Sequence, residues 1–535
     1  MANNSSKLGL IKKALTIFFV QYHGIIPFDI LKGYVHKYRT ESNNIKKYGK
    51  RFFNPEIAEE YNQWLTYQTY EKNESKVDMT LIGNHIQEVS GTTYPKVNMI
   101  RLNLDGITSE YVCIVGDRCH FYEYFDSYVN ECEKVDVLYF DHDYYLNEKR
   151  SKPMCKPDFS YDTLRGFNYI GNCWIVKTDL LRQFDGAEWN PYRWLLELSD
   201  QKIKFGHVSK IVYGDCAEIV NEKDTLVEYL NQKQIPAFFY KTNQKEVNRL
   251  IYRLKERPLV SIIIPTKDGK DVLDVCIQSI MKCSTYVNYE IIIADNGSTK
   301  VETKEYFNEL QTKYSNIHVV DCAGPFNFSK INNQAIQHAQ GKYYILLNND
   351  TSIITSDWIE QMLSYCQFHH VGSVGVKLLY PDGSIQHGGV IAGKGGGFAH
   401  RYYRKEDEDK GYMYTLCIPN DVACCTAACL MISKEKYEEV GGMNEELTVQ
   451  FNDVDLGLRL LEKGYFNVFL PDVQLVHYES KSRGIDKKKE AVKRYVWEVD
   501  YVQEHYKEYL EHDPFYNDNF DTNYDYMLIC GKGSN

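Results

Sequence analysis

The chain has 535 residues, enough for about three domains at roughly 100 to 200 residues each. Hydrophobic residues make up 43% and charged residues 25%, which is typical of globular proteins and excludes a largely disordered chain. No apolar run approaches the roughly 20 residues of a membrane-spanning helix, and the 15 cysteines, which form no CxxC pair, predict free thiols in a reducing cytoplasm.

Residues 1–75 are predicted to form a basic, helical N-terminal segment. The whole chain carries −11, yet residues 1–55 contain ten Lys and Arg against two acidic residues, a net +8. Apolar residues recur there at helical spacing, namely Leu8, Ile11, Leu15 and Phe18. A helix on the inner face of the cytoplasmic membrane and a packed helix with a solvated basic face both fit this pattern. No recognition motif accompanies the basic residues, so nucleic acid binding is not expected.

An internal duplication is visible in the middle of the chain. Gly171–Gly186 aligns without gaps on Ala427–Gly442, and Tyr111–Asp117 aligns on Tyr344–Asp350. We therefore predict two α/β copies, the first over residues 76–215 and the second over 257–485. Residues 216–256 are predicted to be a linker, and residues 486–535 a C-terminal helix and tail.

The second copy begins with the pattern of βα units on a parallel sheet. Four strands are predicted, at Leu259–Ile264, Tyr289–Ala294, Ile317–Val320 and Tyr343–Leu347. Helices are predicted between them, over residues 270–283, 299–314 and 329–339. Polar clusters follow three of these strands, at Pro265-Thr266, at Asp295 to Ser298 and at Asn348-Asn349-Asp350. Ligands of open α/β sheets bind at the carboxyl ends of the strands, so these clusters predict a binding site.

Asn348, Asn349 and Asp350 offer hard oxygen ligands that suit Mg²⁺ or Mn²⁺. Only Asp350 is an anion, so a bound diphosphate would have to supply further ligands. A turn at the end of the strand is the alternative interpretation of this motif.

The second cluster of candidate residues begins at Asp453, which is predicted to start a helix. The free N–H groups and the dipole there favour a carboxylate that can act as a base. Asp455 is predicted to be a structural acid of the same first turn. A strand follows over Phe466–Leu470, and His477 closes the next apolar run, either as a structural residue or as a metal ligand.

Three further motifs are set aside. Gly388–Gly395 nearly matches a P-loop, but Gly395 replaces the Ser or Thr that would bind Mg²⁺. Asp141-His142-Asp143 has the DxD form, yet its equivalent in the second copy lies beyond the metal position. Cys424, Cys425 and Cys429 are predicted to be core cysteines.

Pro258 to Gly484 resembles glycosyltransferase family 2, and in particular its rhamnosyltransferase-like branch of bacterial surface polysaccharide synthesis. The resemblance rests on motifs that occur in order: PLVSIIIPTKDG, IIIADNGS, FNFSKINNQAI, GKYYILLNNDT, LLYPDGSIQHGG, CCTAACLMI, FNDVDLGLRL and HYESKSRG. It implies a GT-A fold, a UDP- or dTDP-linked sugar donor, a divalent metal and inversion at the anomeric carbon.

The resemblance also implies roles for individual residues. Those expected to bind the donor are Pro265, Thr266, Asp295, Asn348, Asn349 and Asp350. Asp350 and His477 would hold the metal, and Asp453 would be the catalytic base. Asn452 stands where an acidic residue is usual, and Ala428 replaces a common glycine, which narrows the expected sugar pocket.

The first copy resembles the tandem members of the family, but its chemistry is predicted to be lost. The sequence alignment places Val115-Gly116 on Asn348-Asn349, and Asn190 on Asp453. We therefore expect a degenerate, non-catalytic GT-A-like domain.

The predicted function is metal-dependent, inverting transfer of a sugar, with rhamnose one candidate, to a growing lipid-linked surface polysaccharide. The acceptor would be an oligosaccharide or a polyprenyl-linked glycan. Three alternatives stay open, namely a nucleotidyltransferase acting on sugar phosphates, a bifunctional transferase with both copies active, and a non-catalytic glycan-binding scaffold.

Overall fold

The computed structural model describes residues 52–53, 58–66, 68, 70, 75–86, 89–116, 119–146, 149–215, 221–240, 244–394, 397–407, 409–478, 489–520 and 529–530. Of the basic helical segment predicted over residues 1–75, residues 1–51 lie outside the described part of the chain. The described part of that segment contains a short strand at Phe52–Phe53, which pairs with Ile529–Cys530, and the helix Ala58–Leu65. Across the described ranges, no helix combines the length and the apolar character needed to cross a bilayer.

The second copy is built on a mixed sheet. Its strands lie side by side in the order Ile317–Asp321, Tyr289–Asp295, Val260–Thr266, Tyr343–Leu347, Cys429–Ser433, Val371–Leu379, Phe466–His477 and Thr351–Ile353. Two short strands join its edges, with Ile385–His387 on Val371–Leu379 and Asn420–Val422 on Phe466–His477. The first four are parallel, as the βα pattern predicted, and Cys429–Ser433 is antiparallel to its neighbours.

Helices cover both faces of this sheet, which is why its central strands are continuous apolar runs. Ile262, Ile263 and Ile264 are consecutive, and all three are completely buried. The helices of this copy are Lys270–Cys283, Val301–Lys313, Phe328–Ile336, Trp358–Cys366, Lys434–Glu439 and Asn452–Glu462, with a 3₁₀ turn at Tyr412–Tyr414. The predicted elements before residue 350 therefore match the structure within a few residues.

The first copy repeats the strand order of the second. Its strands run in the order Lys96–Asn98, Met79–Gly83, Tyr111–Val115, Cys173–Lys177, Val137–Leu146, Phe205–Asp215 and Cys119–Phe121, and Lys149–Met154 pairs with Val137–Leu146. Its helices are shorter and are found at Ala58–Leu65, Asp126–Val129, Tyr161–Gly166, Thr178–Leu181 and Pro191–Ser199, with 3₁₀ turns at Asn130–Lys134 and Arg182–Phe184. The shared strand order supports the duplication seen in the sequence.

Strand pairing corrects the internal alignment by one residue. Val115 pairs with Cys173 in the first copy, whereas Leu347 pairs with Cys429 in the second. Because the two cysteines correspond, Val115 corresponds to Leu347. Its predicted equivalence with Asn348 is wrong, since an ungapped match of apolar strands does not distinguish neighbouring registers.

Residues 216–256, predicted to be a linker, contribute elements to the fold. A helix covers Lys223–Gln232, and Ala237–Tyr240 pairs with Arg249–Tyr252 in a hairpin. Leu226 and Leu250 belong to a buried cluster that contains residues of both copies. This segment therefore packs between the copies.

Phe466–His477 is one strand rather than two. The predicted strand ended at Leu470, but the strand continues through Pro471, where the register with Val371–Leu379 shifts, so that Val376 pairs with Leu470 and the next residue pairs with Gln474. This irregularity leaves Pro471, which has no N–H to donate, outside the paired residues of that ladder. The strand thus carries His477 to the same edge as Asp350.

Residues 489–520, near the C-terminus, contact both copies. Its helices are Lys489–His505 and Lys507–Glu511. Beyond them, the side-chain amide of Asn517 donates to Asp141 at 2.9 Å and that of Asn519 donates to the same carboxylate at 3.0 Å. His512 lies 2.8 Å from Asp158. The segment therefore joins the second copy to the first.

Candidate functional site

A cavity of about 710 Å³ opens at the carboxyl ends of the strands of the second copy. Seven of the eight predicted site residues line it, namely Pro265, Thr266, Asn348, Asn349, Asp350, Asp453 and His477. They come from four separate stretches of sequence, three at strand ends and one at the start of the helix Asn452–Glu462, and the fold brings these stretches together. This is the place where open α/β sheets bind ligands.

Asp295 is the predicted residue that does not line the cavity. Its carboxylate accepts hydrogen bonds from the backbone N–H and hydroxyl of Ser298, at 2.8 and 2.6 Å. The following residue, Asn296, lines the cavity instead. Asp295 therefore shapes the loop in this structure, and its contact with a donor stays a prediction.

The first strand and the Asn-Asn-Asp motif are directly connected. The side-chain amide of Asn349 donates to the hydroxyl of Thr266 at 2.9 Å, and both residues are buried. The backbone N–H of Asn296 donates to the Thr266 carbonyl at 2.9 Å. These bonds link the carboxyl ends of the strands Val260–Thr266, Tyr289–Asp295 and Tyr343–Leu347.

Asp350 and His477 form the centre of the candidate metal site. His477 Nε2 lies 3.1 Å from Asp350 Oδ1 and 3.2 Å from the Asn348 side-chain amide. His477 Nδ1 lies 2.6 Å from the side-chain oxygen of Gln386. Because that oxygen only accepts, Nδ1 donates to it, and this bond turns Nε2 toward Asp350 and Asn348.

This arrangement fits a divalent cation, because an imidazole nitrogen and a carboxylate oxygen converge there, and an imidazole oriented through its other nitrogen is a common metal ligand. Among the residues described, no three His, Cys, Asp or Glu side chains gather as a metal cluster. That a bound diphosphate supplies further ligands stays a prediction.

Asp453 lies in the first turn of the helix Asn452–Glu462. Its Oδ1 accepts from the backbone N–H of Val454 at 2.9 Å, and its Oδ2 accepts from that of Ala427 at 3.1 Å. These two bonds fix the orientation of the carboxylate against the cavity. The preceding residue, Phe451, has φ 59° and ψ 9°, a left-handed conformation that is uncommon outside glycine.

Asp455 is held by structural contacts, as predicted. Arg459 Nε donates to it at 2.8 Å, and the Tyr506 hydroxyl donates at 2.6 Å. Its side chain is almost completely buried and does not line the cavity. The two acids of this helix turn therefore have different surroundings although they are two residues apart.

Part of the cavity wall was not predicted from the sequence. Aromatic residues line it at Phe326, Phe328, Phe398 and Phe451. Phe398 and His400 reach it from a hairpin in which Gly397–His400 pairs with Val390–Lys394. In the sequence, only the nearby family motif LLYPDGSIQHGG, which contains Gln386 and two glycines, pointed to this part of the chain. The hairpin also confirms that the P-loop-like stretch is no P-loop.

The acids of Asp141-His142-Asp143 are occupied by structural contacts. Asp143 accepts from Tyr61, Tyr122 and Arg150, each at 2.6 Å. Asp141 accepts from the backbone N–H of residue 156 at 2.8 Å, besides the C-terminal asparagines. Setting this motif aside as a metal site is therefore consistent with the structure.

The equivalent edge of the first copy has lost the residues of the metal site. Strand pairing places Gly116 at the position of Asn348 and Asp215 at that of His477. In the sequence between these strands, Arg118 stands where the second copy has its aspartate.

Lys156 fills space in the first copy that is open in the second. Its ammonium donates to the carbonyl of Ile170 at 2.7 Å and lies 3.6 Å from where a Cβ on Gly171 would stand. Gly171 corresponds to Ala427 of the cavity wall. Burial lowers the pKa of Lys156 to about 8.

Asn190, the predicted counterpart of the base, caps a helix by accepting from the backbone N–H of residue 193.

Comparison with known proteins agrees with these motifs. Residues 261–441 match the model of the family "Glycosyl transferase family 2". The uncharacterized protein y4gI of Sinorhizobium fredii is 35% identical over 389 residues, which cover 68% of this chain and 43% of that protein. The O-antigen biosynthesis protein RfbC of Myxococcus xanthus is 31% identical over 398 residues, 69% of this chain and 30% of that protein.

A more distant relative bears the name of an enzyme. The N-acetylglucosaminyl-diphospho-decaprenol L-rhamnosyltransferase of Mycobacterium tuberculosis is 21% identical over 214 residues, 37% of this chain and 68% of that protein. Among solved structures, GalNAc-T7 with UDP, GalNAc and Mn²⁺ superposes with a TM-score of 0.39 at 16% identity, over 51% of this chain and 53% of that one.

The second copy of this chain therefore belongs to glycosyltransferase family 2, and its sheet has the GT-A fold. The resemblance to the rhamnosyltransferase-like branch is confirmed by the relatives named above. The chain spans less than half the length of the first two of them.

Proposed function

We propose that this chain transfers a sugar from a nucleoside-diphosphate donor, UDP- or dTDP-linked, to a growing bacterial surface polysaccharide. The observation that carries the proposal is a single cavity lined both by the Asp350 and His477 pair and by Asp453. The relatives named for O-antigen synthesis and for rhamnosyl transfer to a decaprenol-linked sugar support the acceptor class.

At the donor side, Thr266, Asn349 and Asp350 would bind the nucleotide and its diphosphate. Asp350 and His477 would hold Mg²⁺ or Mn²⁺. A divalent cation there supplies positive charge that stabilises the leaving diphosphate. The buried bond between Asn349 and Thr266 links the two strand ends that would bind the donor.

Asp453 would act as the general base on the acceptor. Its carboxylate takes the proton of an acceptor hydroxyl while that oxygen forms the new bond to the anomeric carbon. The bond from this carbon to the diphosphate oxygen breaks in the same step, so the anomeric configuration inverts and no covalent enzyme intermediate forms. The two N–H groups that bind Asp453 keep the base oriented for this attack.

A donor screen tests this function. The full chain is incubated with UDP- and dTDP-sugars, Mn²⁺ or Mg²⁺, and a polyprenyl-diphosphate-linked sugar, and released nucleoside diphosphate is measured. We expect release from one donor class that EDTA stops and fresh metal restores. Release of pyrophosphate from nucleoside triphosphate and sugar phosphate would instead identify a nucleotidyltransferase. Glycan binding without turnover of any donor would identify a scaffold.

We further propose that the first copy is non-catalytic. Gly116, Arg118 and Asp215 replace the residues of the metal site, and Lys156 fills the neighbouring space. A bifunctional enzyme would need a donor site on that edge. The proposal predicts that all transfer depends on the second copy.

We also propose that residues 1–55, of which residues 1–51 lie outside the described part of the chain, attach the protein to an anionic membrane surface. Each basic residue near such a surface contributes about 1 kcal/mol, and the net charge of this segment is +8. Co-sedimentation should show binding to anionic vesicles that falls as salt rises, and none to neutral phosphatidylcholine vesicles. Equal binding to both vesicle types, or to neither, would contradict the proposal.

A further inference from the structure

Glu498 is a buried carboxylate in the helix Lys489–His505, beyond the region that matches the family model. It is completely buried, and it accepts from three successive backbone N–H groups of one loop. Those of Thr448 and Val449 donate to Oε1, each at 2.9 Å, and that of Gln450 donates to Oε2 at 3.1 Å. The Thr448 hydroxyl donates as well, at 2.9 Å.

The loop held by Glu498 is part of the cavity wall. Val449, Gln450 and Phe451 all line the cavity, and Asn452 and Asp453 follow them. Phe451 has a left-handed backbone conformation, which for a bulky residue persists only where the surroundings impose it. Glu498 fixes the residues immediately before this position. It therefore sets where the helix that carries Asp453 begins.

The rest of the C-terminal helix packs against the same helix. Val502 is completely buried in a cluster with Val454 and Leu458. The Tyr506 hydroxyl reaches Asp455 at 2.6 Å. Of these three partners, only Val454 lines the cavity. Glu498 differs because it binds backbone N–H groups of the loop itself, and two of its three N–H donors, Val449 and Gln450, belong to cavity-lining residues.

We propose that Glu498 is a positioning residue for the acceptor side of the site, acting through the loop 448–451 on the orientation of Asp453. This inference rests on the proposed function. The donor residues Thr266, Asn349 and Asp350 lie on other elements, so Glu498 should affect acceptor use and turnover rather than donor affinity. Three backbone N–H groups of the loop face Glu498, and each of them can only donate a hydrogen bond. A carboxylate suits this position because its two oxygens only accept and its charge strengthens the bonds.

The test substitution is Glu498→Gln, which keeps the size of the side chain and removes its charge. An amide has one accepting oxygen, and its NH₂ group would face an N–H donor of the loop. Glu290→Gln is the matched control. Glu290 is equally buried and accepts from Ser261 Oγ and from the backbone N–H of Gln340, at the opposite edge of the same sheet.

We expect Glu498→Gln to lower kcat for transfer by about tenfold to a hundredfold and to raise the acceptor KM, because small displacements of a catalytic group have effects of this size. The dissociation constant of the donor should stay within about twofold. Glu290→Gln should lower the melting temperature and leave kcat and both constants near the wild-type values. A wild-type kcat in Glu498→Gln, or equal kinetic losses in both variants, would overturn the proposal.

Hydrogen exchange gives a second measurement that does not depend on turnover. In Glu498→Gln, the amides of residues 448–450 should exchange faster while those of the donor edge keep their protection, and Glu290→Gln should leave the loop unchanged. Unchanged exchange in the loop would overturn the positioning role. If the wild-type protein turned over no donor, the proposed function would fail, and the exchange result would still decide whether Glu498 fixes the loop.

Discussion

Asp453→Asn is expected to lower kcat for sugar transfer by roughly 10²- to 10⁴-fold, the usual contribution of a positioned base. The substitution nearly preserves shape, and the Asn oxygen can keep the bond from the Val454 N–H. The dissociation constant of the donor should therefore stay within a few-fold. Initial rates with saturating donor and acceptor, together with calorimetry of donor binding, measure both quantities.

Asp455→Asn is the control for this substitution. Asp455 is bound by Arg459 and Tyr506 and does not line the cavity, so its loss should reduce the free energy of unfolding and leave transfer by the folded protein largely intact. More than about a tenth of wild-type turnover in Asp453→Asn would contradict its role as base.

Asp350→Ala is expected to remove most of the effect of metal on donor binding. Asp350 is the only anion of its motif and lies 3.1 Å from His477. The donor dissociation constant in the presence of Mn²⁺ should rise by at least about tenfold, as for other changes in metal ligation, and should change little without metal. Titration calorimetry with and without Mn²⁺ gives the comparison.

His477→Ala and the double variant sharpen this test. If both side chains hold one ion, the two losses will not add, because removing either ligand already weakens the same site. Full additivity would mean that the side chains act independently. An unchanged enhancement by Mn²⁺ in Asp350→Ala would mean that the metal binds elsewhere.

Much of the second copy could be predicted because the sequence patterns that indicate its strands and its ligand-binding edge involve residues close together in the chain. The apolar runs that end at Thr266 and Leu347 form the predicted parallel strands, and polar residues follow them at the ligand-binding edge. The start of the helix before Asp453 was also predicted. These features depend on periodicity and on strand ends, which a single sequence shows directly.

Other features depend on contacts that no local pattern reports. Glu498 lies in an amphipathic helix with Glu490 and Glu504, and nothing in the sequence distinguishes the one that is buried. The strand through Pro471 required a bulge that only its neighbour defines. The one-residue error at Val115 arose because apolar strands align equally well in adjacent registers, and hydrogen bonding decides between them.

Because Glu498 and Asn517 come late in the sequence, their positions affect when each part of the site can form during synthesis. A chain is made from its amino end, and its domains fold as they emerge. When Gly484 has been added, every motif of the family is present, but Glu498, which binds the loop 448–451, and Asn517, whose amide donates to Asp141, have not yet been made. Under the proposed role of Glu498, a nascent chain would bind the sugar nucleotide before it could use an acceptor. Transfer would then begin only after residues 489–520 have joined the two copies.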